Sequence, residues 1–157
     1  MRLKVVAVGT RLPEWQRQGF REYARRLPRE LGMDVVEISA AARGKSTPTA
    51  QAVEKESERM LAAIARGEYV VALERSGVQY DTESLAGLLE TWLGQGRDVA
   101  LLIGGADGLS DGCRQRADLH WSLSELTFPH GMVRLMVAEQ LYRAWSILRN
   151  HPYHRGG

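Results

Sequence analysis

Residues 98–108 read Asp-Val-Ala-Leu-Leu-Ile-Gly-Gly-Ala-Asp-Gly, and this stretch decides the predicted fold. An apolar run of this kind is typical of a strand that is buried on both faces of a parallel sheet. The glycines after it let the main chain turn sharply and approach a ligand closely. Because ligands bind beyond the carboxyl ends of strands in open parallel sheets, Gly104 to Gly108 is a candidate binding loop. The alternative is a tight turn between a strand and a helix.

Segments on both sides of this stretch repeat the same pattern of strand and helix. Short apolar or β-branched runs predict further strands at 3–8, 34–38, 69–73 and 119–123. Apolar spacing and capping residues predict helices around 20–27, 53–64, 85–92, 110–117 and 132–149. Strands that alternate with helices predict an α/β fold with a mostly parallel sheet flanked by helices. The length suits one domain over residues 1–157, in which residues 39–48 are the best candidate for a mobile loop.

Two other strand ends join the glycine loop in this prediction. Leu73 closes one apolar strand, and residues 123–128, which read Leu-Ser-Glu-Leu-Thr-Phe, follow the last one. The carboxyl ends of parallel strands meet at one edge of a sheet, so all three segments are expected to border the same ligand site. The alternative for residues 123–128 is an apolar loop that covers the core.

Composition describes an ordinary globular chain and excludes several classes of protein. No apolar run approaches the roughly 20 residues that cross a bilayer. Cys113 is the only cysteine, so the chain forms no internal disulfide, no metal-ligand cluster is expected, and a cytoplasmic location is predicted. The net charge is +2, yet six arginines and two glutamates lie between Arg11 and Arg29. This local excess indicates either a phosphate-binding surface or a solvated helix face.

Polar residues recur along the last predicted helix and beyond it. Glu139, Arg143, Ser146 and Asn150 fall at i, i+4, i+7 and i+11, which aligns them in one stripe. The stripe is either an exposed face with an ordinary Glu–Arg pair or a set of groups for proton transfer and anion stabilisation. Residues 151–155 read His-Pro-Tyr-His-Arg, and such rings and cations hold unstacked RNA bases and phosphates. The alternative for this tail is a frayed polar terminus.

Several motifs together resemble one family over essentially the whole chain. They are Val-Ala-Val-Gly at 6–9, Leu-Leu-Ile-Gly-Gly at 101–105, Gly-Leu at 108–109, Leu-Thr-Phe-Pro-His at 126–130, Glu-Gln-Leu-Tyr-Arg-Ala at 139–144, and His-Pro-Tyr-His-Arg at 151–155. The chain resembles the small SPOUT-class methyltransferases that methylate N3 of a pseudouridine in 23S ribosomal RNA, the ribosomal RNA large subunit methyltransferase H family. Many relatives have Pro-Glu where this chain has Ala106-Asp107, and loss of the proline makes that loop less rigid.

The resemblance implies a fold, a cofactor and partners that the residue pattern does not give. The implied fold is a SPOUT fold with a deep trefoil knot in the C-terminal third, which no periodicity predicts. The implied cofactor is S-adenosylmethionine, which leaves as S-adenosylhomocysteine. The implied partners are a second copy of the chain and 23S ribosomal RNA in the large subunit or the assembled ribosome. Carried over by position, the cofactor-binding residues are Leu73, Gly104, Leu123, Ser124, Glu125, Leu126, Thr127 and Phe128.

The resemblance also favours the catalytic interpretation of the stripe. Glu139 is expected to accept or orient the proton of the imide nitrogen, and Arg143 to stabilise the developing anion or hold a phosphate. The residues expected to contact RNA are His130, His151, Tyr153, His154 and Arg155. For His130, a structural role beside the loop is the alternative. The alternative functions are methylation of another RNA base or a ribose 2′-hydroxyl, and RNA or ribosome binding without catalysis.

Overall fold

A single five-stranded sheet organises the computed structural model, which describes residues 1–156. Its strands are β1 (Leu3–Val8), β2 (Met33–Ile38), β3 (Tyr69–Gln79), β4 (Val99–Ile103) and β5 (Leu119–Ser122). They lie in the order β2-β1-β4-β3-β5, and every neighbouring pair is parallel. β4 is buried along its whole length between β1 and β3, as its apolar sequence predicts. The predicted α/β class with a parallel sheet is confirmed.

Within residues 1–156, four α-helices connect successive strands and a fifth follows β5, and together they cover both faces of the sheet. They are α1 (Glu14–Arg26), α2 (Thr49–Ala62), α3 (Thr82–Gln95), α4 (Asp111–Arg116) and α5 (His130–Leu148), with 3-10 turns at Arg29–Leu31 and Pro152–Arg155. Leu3 and Val5 of β1 share one core with α1, α3 and α5, whereas Val6 and Val8 share the other with α2 and α4. No helix among the described residues is both long and apolar enough to span a membrane.

Local sequence signals set several of the helix ends. The Ser110 side chain caps α4 by accepting a hydrogen bond from the Cys113 amide at 3.1 Å. α3 begins after Asp81, whose carboxylate accepts a hydrogen bond from the Ser84 amide at 2.7 Å. It ends at Gly96, which has a φ of +68° and so adopts the left-handed conformation that favours glycine. The helices predicted around 20–27, 53–64 and 85–92 begin earlier, at Glu14, Thr49 and Thr82, because the apolar spacing starts only at Phe20, Val53 and Leu85. Most of the remaining predicted ends differ by one or two residues, which is ordinary for frayed helix and strand termini.

The prediction that the third strand ends at Leu73 is wrong, because β3 continues to Gln79. Leu73 and Val78 both pair with Trp121, so the residues between them form a bulge. The apolar pattern stops at Leu73 because residues 74–79 are only partly buried or exposed, although the backbone continues as a strand. Gly77 allows the backbone of β3 to approach β5 this closely, since a Cβ there would lie 2.7 Å from the carbonyl carbon of His120.

Substitution at Gly77 tests the role of this bulge. Gly77→Ala is expected to lower the free energy of unfolding by about 1 to 3 kcal/mol, because the new methyl group meets backbone that packing holds in place. Gly87→Ala is the matched control, because Gly87 lies in α3 with open space where a Cβ would be. That control is expected to raise stability by about 0.5 to 1 kcal/mol. Urea denaturation measures both, and equal effects of the two substitutions would contradict the account of the bulge.

Candidate active site

A cleft of about 910 Å³ lies beyond the carboxyl ends of β3, β4 and β5. Its walls are residues 73–76 of β3, residues 103–109 after β4 and parts of the segment 123–133. This volume falls in the range of small-molecule binding sites. The structure therefore brings Leu73, Gly104 and the loop after β5 to one cavity. Of the eight predicted cofactor residues, Glu125 alone lies outside the lining.

The glycine loop after β4 is itself a tight turn and also a wall of the cleft. The Gly108 amide donates a hydrogen bond to the Gly105 carbonyl at 3.1 Å. A Cβ on Gly104 would lie 2.5 Å from the carbonyl carbon of Gly108, so only glycine fits there. Gly108 has a φ of +76°, in the left-handed region. The interpretation as a binding loop and the interpretation as a tight turn are thus compatible, since the turn presents its main chain to the cavity.

Residues 123–128 form the wall on the opposite side of the cleft. The Leu126 amide donates to the Ser124 hydroxyl at 3.0 Å, and Arg75 donates from Nη1 to the Thr127 hydroxyl at 2.9 Å. Leu123 packs against the core, but Leu126 is 68% exposed, so only one end of this loop covers the core. The loop is therefore fastened to β3 while its tip remains at the mouth of the cleft.

Main-chain donors in this loop are available to a ligand. The amides of Glu125, Thr127 and Phe128 form no hydrogen bond with any residue in the described part of the chain. Free amides beside apolar side chains suit a ligand that has a flat ring and polar substituents. The residues 1–156 contain no cluster of three or more acidic, histidine or cysteine side chains that could hold a metal ion.

An ion-pair network, which we call the Arg43 bridge, joins the β2–α2 loop to the glycine loop. Arg43 donates to the Glu56 carboxylate at 2.8 and 3.1 Å and, through Nε, to Asp107 at 2.7 Å. The Glu56 side chain is 3% exposed and also accepts the Ala41 amide at 3.0 Å. Burial by itself raises the pKa of Glu56, but the hydrogen bonds from Arg43 and Ala41 hold it below its ordinary value.

The segment predicted as a mobile loop is therefore tied to the cleft by its own arginine. Asp107 lines the cavity, and Arg43 holds it from outside. Sequence reasoning missed Glu56, because it lies among other charged residues in α2 and no pattern separates it from its exposed neighbours. This chain has Ala106 where many relatives have a proline, so the turn lacks the rigidity of a proline ring. The Arg43 bridge instead constrains the turn through Asp107.

Charged groups also line the β3 side of the cleft. The Glu74 carboxylate accepts a hydrogen bond from Arg114 Nε at 2.8 Å, and its other oxygen lies 2.6 Å from His120 Nδ1. The hydrogen bond with Glu74 raises the pKa of Arg114. His120 therefore orients a carboxylate in the cleft wall, which is a structural role. The cleft wall thus contains carboxylates already neutralised by fixed cations.

His130 lines the cleft at the start of α5 and rests against Gly9, where the backbone has a φ of +121°. A Cβ on Gly9 would lie 2.8 Å from His130 Nε2. Arg134, whose side chain is 3% exposed, lies one turn further along α5, donates to the Gly9 carbonyl at 3.3 Å and pairs with Glu37 at 3.4 Å. Burial and the Arg134 cation lower the pKa of His130, which favours the neutral imidazole at pH 7.

The polar stripe on α5 is organised around the Glu139 carboxylate. Arg143 donates to Glu139 Oε1 from both Nε, at 3.0 Å, and Nη2, while Gln140 donates to Oε2 at 2.8 Å. The side chains of Glu139 and Arg143 are only 18% and 17% exposed, so the interpretation of an exposed face is wrong for this pair. Ser146 is fully buried and donates to the Arg143 carbonyl at 2.7 Å.

The tail packs back onto α5, so the interpretation of a frayed terminus is wrong for residues 151–155. The Tyr153 hydroxyl donates to Glu139 Oε1 at 2.9 Å, and its ring centroid lies 4.6 Å from that of Tyr142. His154 Nδ1 lies 3.2 Å from the Ser146 hydroxyl. Burial and hydrogen bonding raise the pKa of Tyr153, so its phenol keeps the proton that it donates.

The structure does not bring every predicted functional residue to one place in a single chain. Glu139, Arg143 and residues 151–155 form a cluster that we call the Glu139 cluster, and none of them lines the cleft. An apolar groove of about 380 Å³ lies between the two, and Leu123 and Phe128 border both cavities. The cofactor residues and the catalytic residues proposed from sequence thus occupy neighbouring but separate surfaces.

Two solved structures share the fold of this chain. A probable methylase family protein from Haemophilus influenzae aligns over 96% of this chain and 69% of its own, with a TM-score of 0.57 and 12% identity. A probable methyltransferase from Bordetella pertussis aligns over 91% of this chain and 95% of its own, with a TM-score of 0.57 and 17% identity. The parallel sheet with a loop-lined cleft at its carboxyl edge therefore defines an α/β protein with a fold shared by proteins titled as methylases.

The chain belongs to the SPOUT methyltransferase family, because the sequence model described as "Predicted SPOUT methyltransferase" matches residues 1–154. A curated relative from Methylococcus capsulatus is 52% identical over 155 residues, which cover 99% of this chain and all of that protein. It is named "Ribosomal RNA large subunit methyltransferase H". The family fold carries the trefoil knot expected above, and SPOUT methyltransferases in general use S-adenosylmethionine. The resemblance stated from the motifs is confirmed.

Removal of the arginine tests the Arg43 bridge. Arg43→Gln is expected to lower the free energy of unfolding at neutral pH by about 1 to 3 kcal/mol, because a buried carboxylate loses its cation. In the wild type, folding lowers the pKa of Glu56, so the ionised carboxylate stabilises the folded protein at pH values above its ordinary pKa. This stability is lost as the pH falls through the pKa that Glu56 has in the folded protein. In the Arg43→Gln variant, burial without the arginine raises the pKa of Glu56 instead. Protonation of Glu56 at low pH then removes the cost of burying an unpaired carboxylate.

The difference in the free energy of unfolding between wild type and Arg43→Gln is therefore expected to narrow as pH falls from about 7 to about 4. Urea denaturation at several pH values measures it. Asp107→Asn is the matched variant that keeps Glu56 paired and leaves this pH dependence unchanged. A difference that stays constant across the range would show that Glu56 does not carry the effect.

Proposed function

We propose that this chain transfers a methyl group from S-adenosylmethionine to N3 of a pseudouridine in large-subunit ribosomal RNA. The observation that carries the proposal is the cleft at the carboxyl edge of the sheet, with a glycine turn on one side and free amides on the other, in a chain of this family. The identity of 52% to a protein named for ribosomal RNA methylation supports the choice of substrate.

The residues of the cleft fit the proposed cofactor. Leu73, Leu109 and Phe128 supply apolar contacts suited to an adenine ring. The free amides of Thr127 and Phe128, which line the cleft, supply donors for its polar atoms. When bound, the cofactor supplies an activated methyl on a sulfonium and is left as S-adenosylhomocysteine. The eight cofactor residues predicted from sequence, Glu125 excepted, remain our proposed contacts.

The acceptor nitrogen carries a proton at neutral pH, so the site must favour its loss before or during attack. We assign Arg143 to stabilise the resulting imide anion, because its guanidinium is only 17% exposed and held in a fixed orientation. Glu139 sets that orientation and holds the Tyr153 hydroxyl on the same oxygen. With donors on both carboxylate oxygens, Glu139 suits the orienting role better than that of a free base.

A homodimer would unite the two surfaces. The Glu139 cluster lies outside the cleft of its own chain, so a second copy is required to bring one chain's cluster to the other chain's cofactor. The apolar groove between them is open, and Leu126 at the mouth of the cleft is 68% exposed. An open apolar groove beside the cleft is suited to association with a second copy. One protomer would then hold the cofactor while its partner holds the RNA base.

The RNA-binding residues in this proposal are those predicted from sequence. His151, His154 and Arg155 present rings and a cation at the edge of the Glu139 cluster, and His130 approaches the substrate from the cleft. Stacking planes and cations are the groups that hold an unstacked base and its phosphates. We further propose that residues 1–157 act as one domain in the cytoplasm, where the large subunit or assembled ribosome is available.

Methyl transfer to ribosomes tests the proposed function directly. Purified protein is incubated with methyl-labelled S-adenosylmethionine and ribosomes from a strain that lacks this modification. The expected result is one labelled nucleoside, N3-methylpseudouridine, in the large-subunit RNA by mass spectrometry. Label on another base or on a ribose would keep the class of reaction and overturn the acceptor. Cofactor binding without any transfer to ribosomes would overturn the catalytic proposal.

Substitutions in the Glu139 cluster test the catalytic roles. Arg143→Ala is expected to reduce the single-turnover rate at saturating ribosomes by roughly a hundredfold, because a preorganised cation is lost. Glu139→Gln is expected to reduce it by roughly tenfold, because Arg143 loses its charged partner. Glu90→Gln on the exposed side of α3 is the matched control and keeps the wild-type rate. Wild-type rates for both cluster variants would contradict the assignment.

Mixing two inactive variants tests whether the site is shared between protomers. Thr127→Trp fills the cleft from an exposed position, and Arg143→Ala leaves the cleft intact. In an equal mixture, half of the randomly paired dimers are mixed, and each mixed dimer has one complete shared site. Activity of about a quarter of the wild-type value is therefore expected. A mixture as inactive as its parents would show that each chain uses its own cluster.

A further inference from the structure

A groove of about 1030 Å³ separates α1 from β2, which is one of the two edge strands of the sheet. Six arginines line it and only two acidic residues do; these eight residues are Arg2, Arg17, Arg21, Arg25, Arg29, Arg134, Glu22 and Asp34. Arg17, Arg21 and Arg25 recur every fourth residue, which places them along one side of α1. The groove is therefore a positively charged surface built by helical spacing.

The charge of the chain is concentrated at this groove. Residues 11–29 carry a net charge of +4, although the whole chain carries only +2, so the remaining residues are net acidic. Such asymmetry is typical of a surface that binds a polyanion. The groove also adjoins the cleft, because Arg17 donates to the Thr10 carbonyl and Arg134 donates to that of Gly9, which contacts His130.

Only some of these arginines are free to bind a ligand. Arg17 and Arg134 both pair with Glu37 and are largely buried, so they support the structure. Arg21 and Arg25 are exposed, and their partners Glu14 and Glu22 lie on α1 itself. Arg29 forms no ion pair with any residue from 1 to 156. We call Arg21, Arg25 and Arg29 the arginine flank.

Phosphate groups can compete for the arginine flank. Ion pairs between exposed side chains contribute little stability in water, so a phosphate replaces Glu14 or Glu22 at small cost. The guanidinium group matches phosphate geometry with two parallel donors. Arg21 and Arg25 lie one helical turn apart, about 6 Å along the axis, so both can contact one nucleic acid backbone.

We infer that the arginine flank is the surface on which this protein binds the phosphate backbone of its RNA substrate. The inference rests on the proposed function. It adds the surface that holds the RNA backbone away from the base that is methylated. RNA that lies along α1 leads towards Gly9 and His130, and so towards the cleft. Binding here is electrostatic and independent of base sequence, and it therefore contributes affinity without selecting the methylated position.

The salt dependence of RNA binding tests this surface. The probe is a fluorescently labelled oligouridylate, titrated with wild type and with the double variant Arg21→Gln, Arg25→Gln at several KCl concentrations. Each lost phosphate contact reduces the slope of log K against log salt by about 0.7 for a single strand. The double variant is expected to lose about 1.4 of slope and roughly tenfold in affinity at low salt.

The matched control removes the same charge from another surface. Lys55→Gln, Arg66→Gln changes two exposed cations, one in α2 and one just beyond it. This control is expected to keep the wild-type slope. Equal slopes for wild type and the arginine-flank variant, or an equal loss in the control, would overturn the inference. Calorimetric binding of S-adenosylmethionine by the arginine-flank variant is expected to match wild type, because neither substituted residue lines the cleft.

The same experiment separates this inference from the proposed function. If wild type methylates ribosomes but the arginine-flank variant binds the oligouridylate as wild type does, only the surface is wrong. If wild type neither binds the oligouridylate nor methylates ribosomes, the proposed function fails and the surface with it. Reduced methylation by the variant at low ribosome concentration, restored at saturation, is the expected kinetic signature of lost RNA affinity.

Discussion

The parallel pairing of β4 with both β1 and β3 is the constraint on which the rest of this structure depends. A strand buried on both faces must be apolar throughout, and it must end where polar main chain can again reach solvent or a ligand. In this chain the end is Gly104, where only glycine avoids the backbone of Gly108. The cleft exists because this turn, the bulged strand β3 and the loop after β5 all emerge at the same edge.

Each wall of the cleft is fastened to an element behind it. Arg43 ties the glycine turn to buried Glu56, and Arg75 ties the loop after β5 to β3. Because these contacts are charged or charge-assisted, they hold geometry more firmly than neutral hydrogen bonds do. The Glu139 cluster follows the same principle on a separate surface, where one carboxylate orients Arg143 and Tyr153. This separation of surfaces is the structural reason for proposing that two copies share one site.

Much of the fold could be predicted from sequence because its signals are local. Apolar runs revealed all five strands, and Ser110 and Gly96 marked helix ends through their own backbone preferences. The extension of β3 escaped prediction because its residues beyond Leu73 are mostly polar, are exposed or only partly buried, and lack a continuous apolar run. The trefoil knot also escaped, since it is a property of chain path, and only family resemblance indicated it. The pairing of Arg43 with Glu56 also escaped, because the two residues lie 13 positions apart on different elements and meet only in the folded chain.

A crystal structure of the protein with S-adenosylhomocysteine would show whether the cleft is the cofactor site. We expect the ligand to occupy the cleft between Gly104–Gly108 and residues 123–128, with its polar atoms on the free amides of that loop. We also expect a second copy to place its Arg143 near the ligand sulfur. A ligand bound elsewhere on the chain, with this cleft empty, would show that the cleft is not the cofactor site.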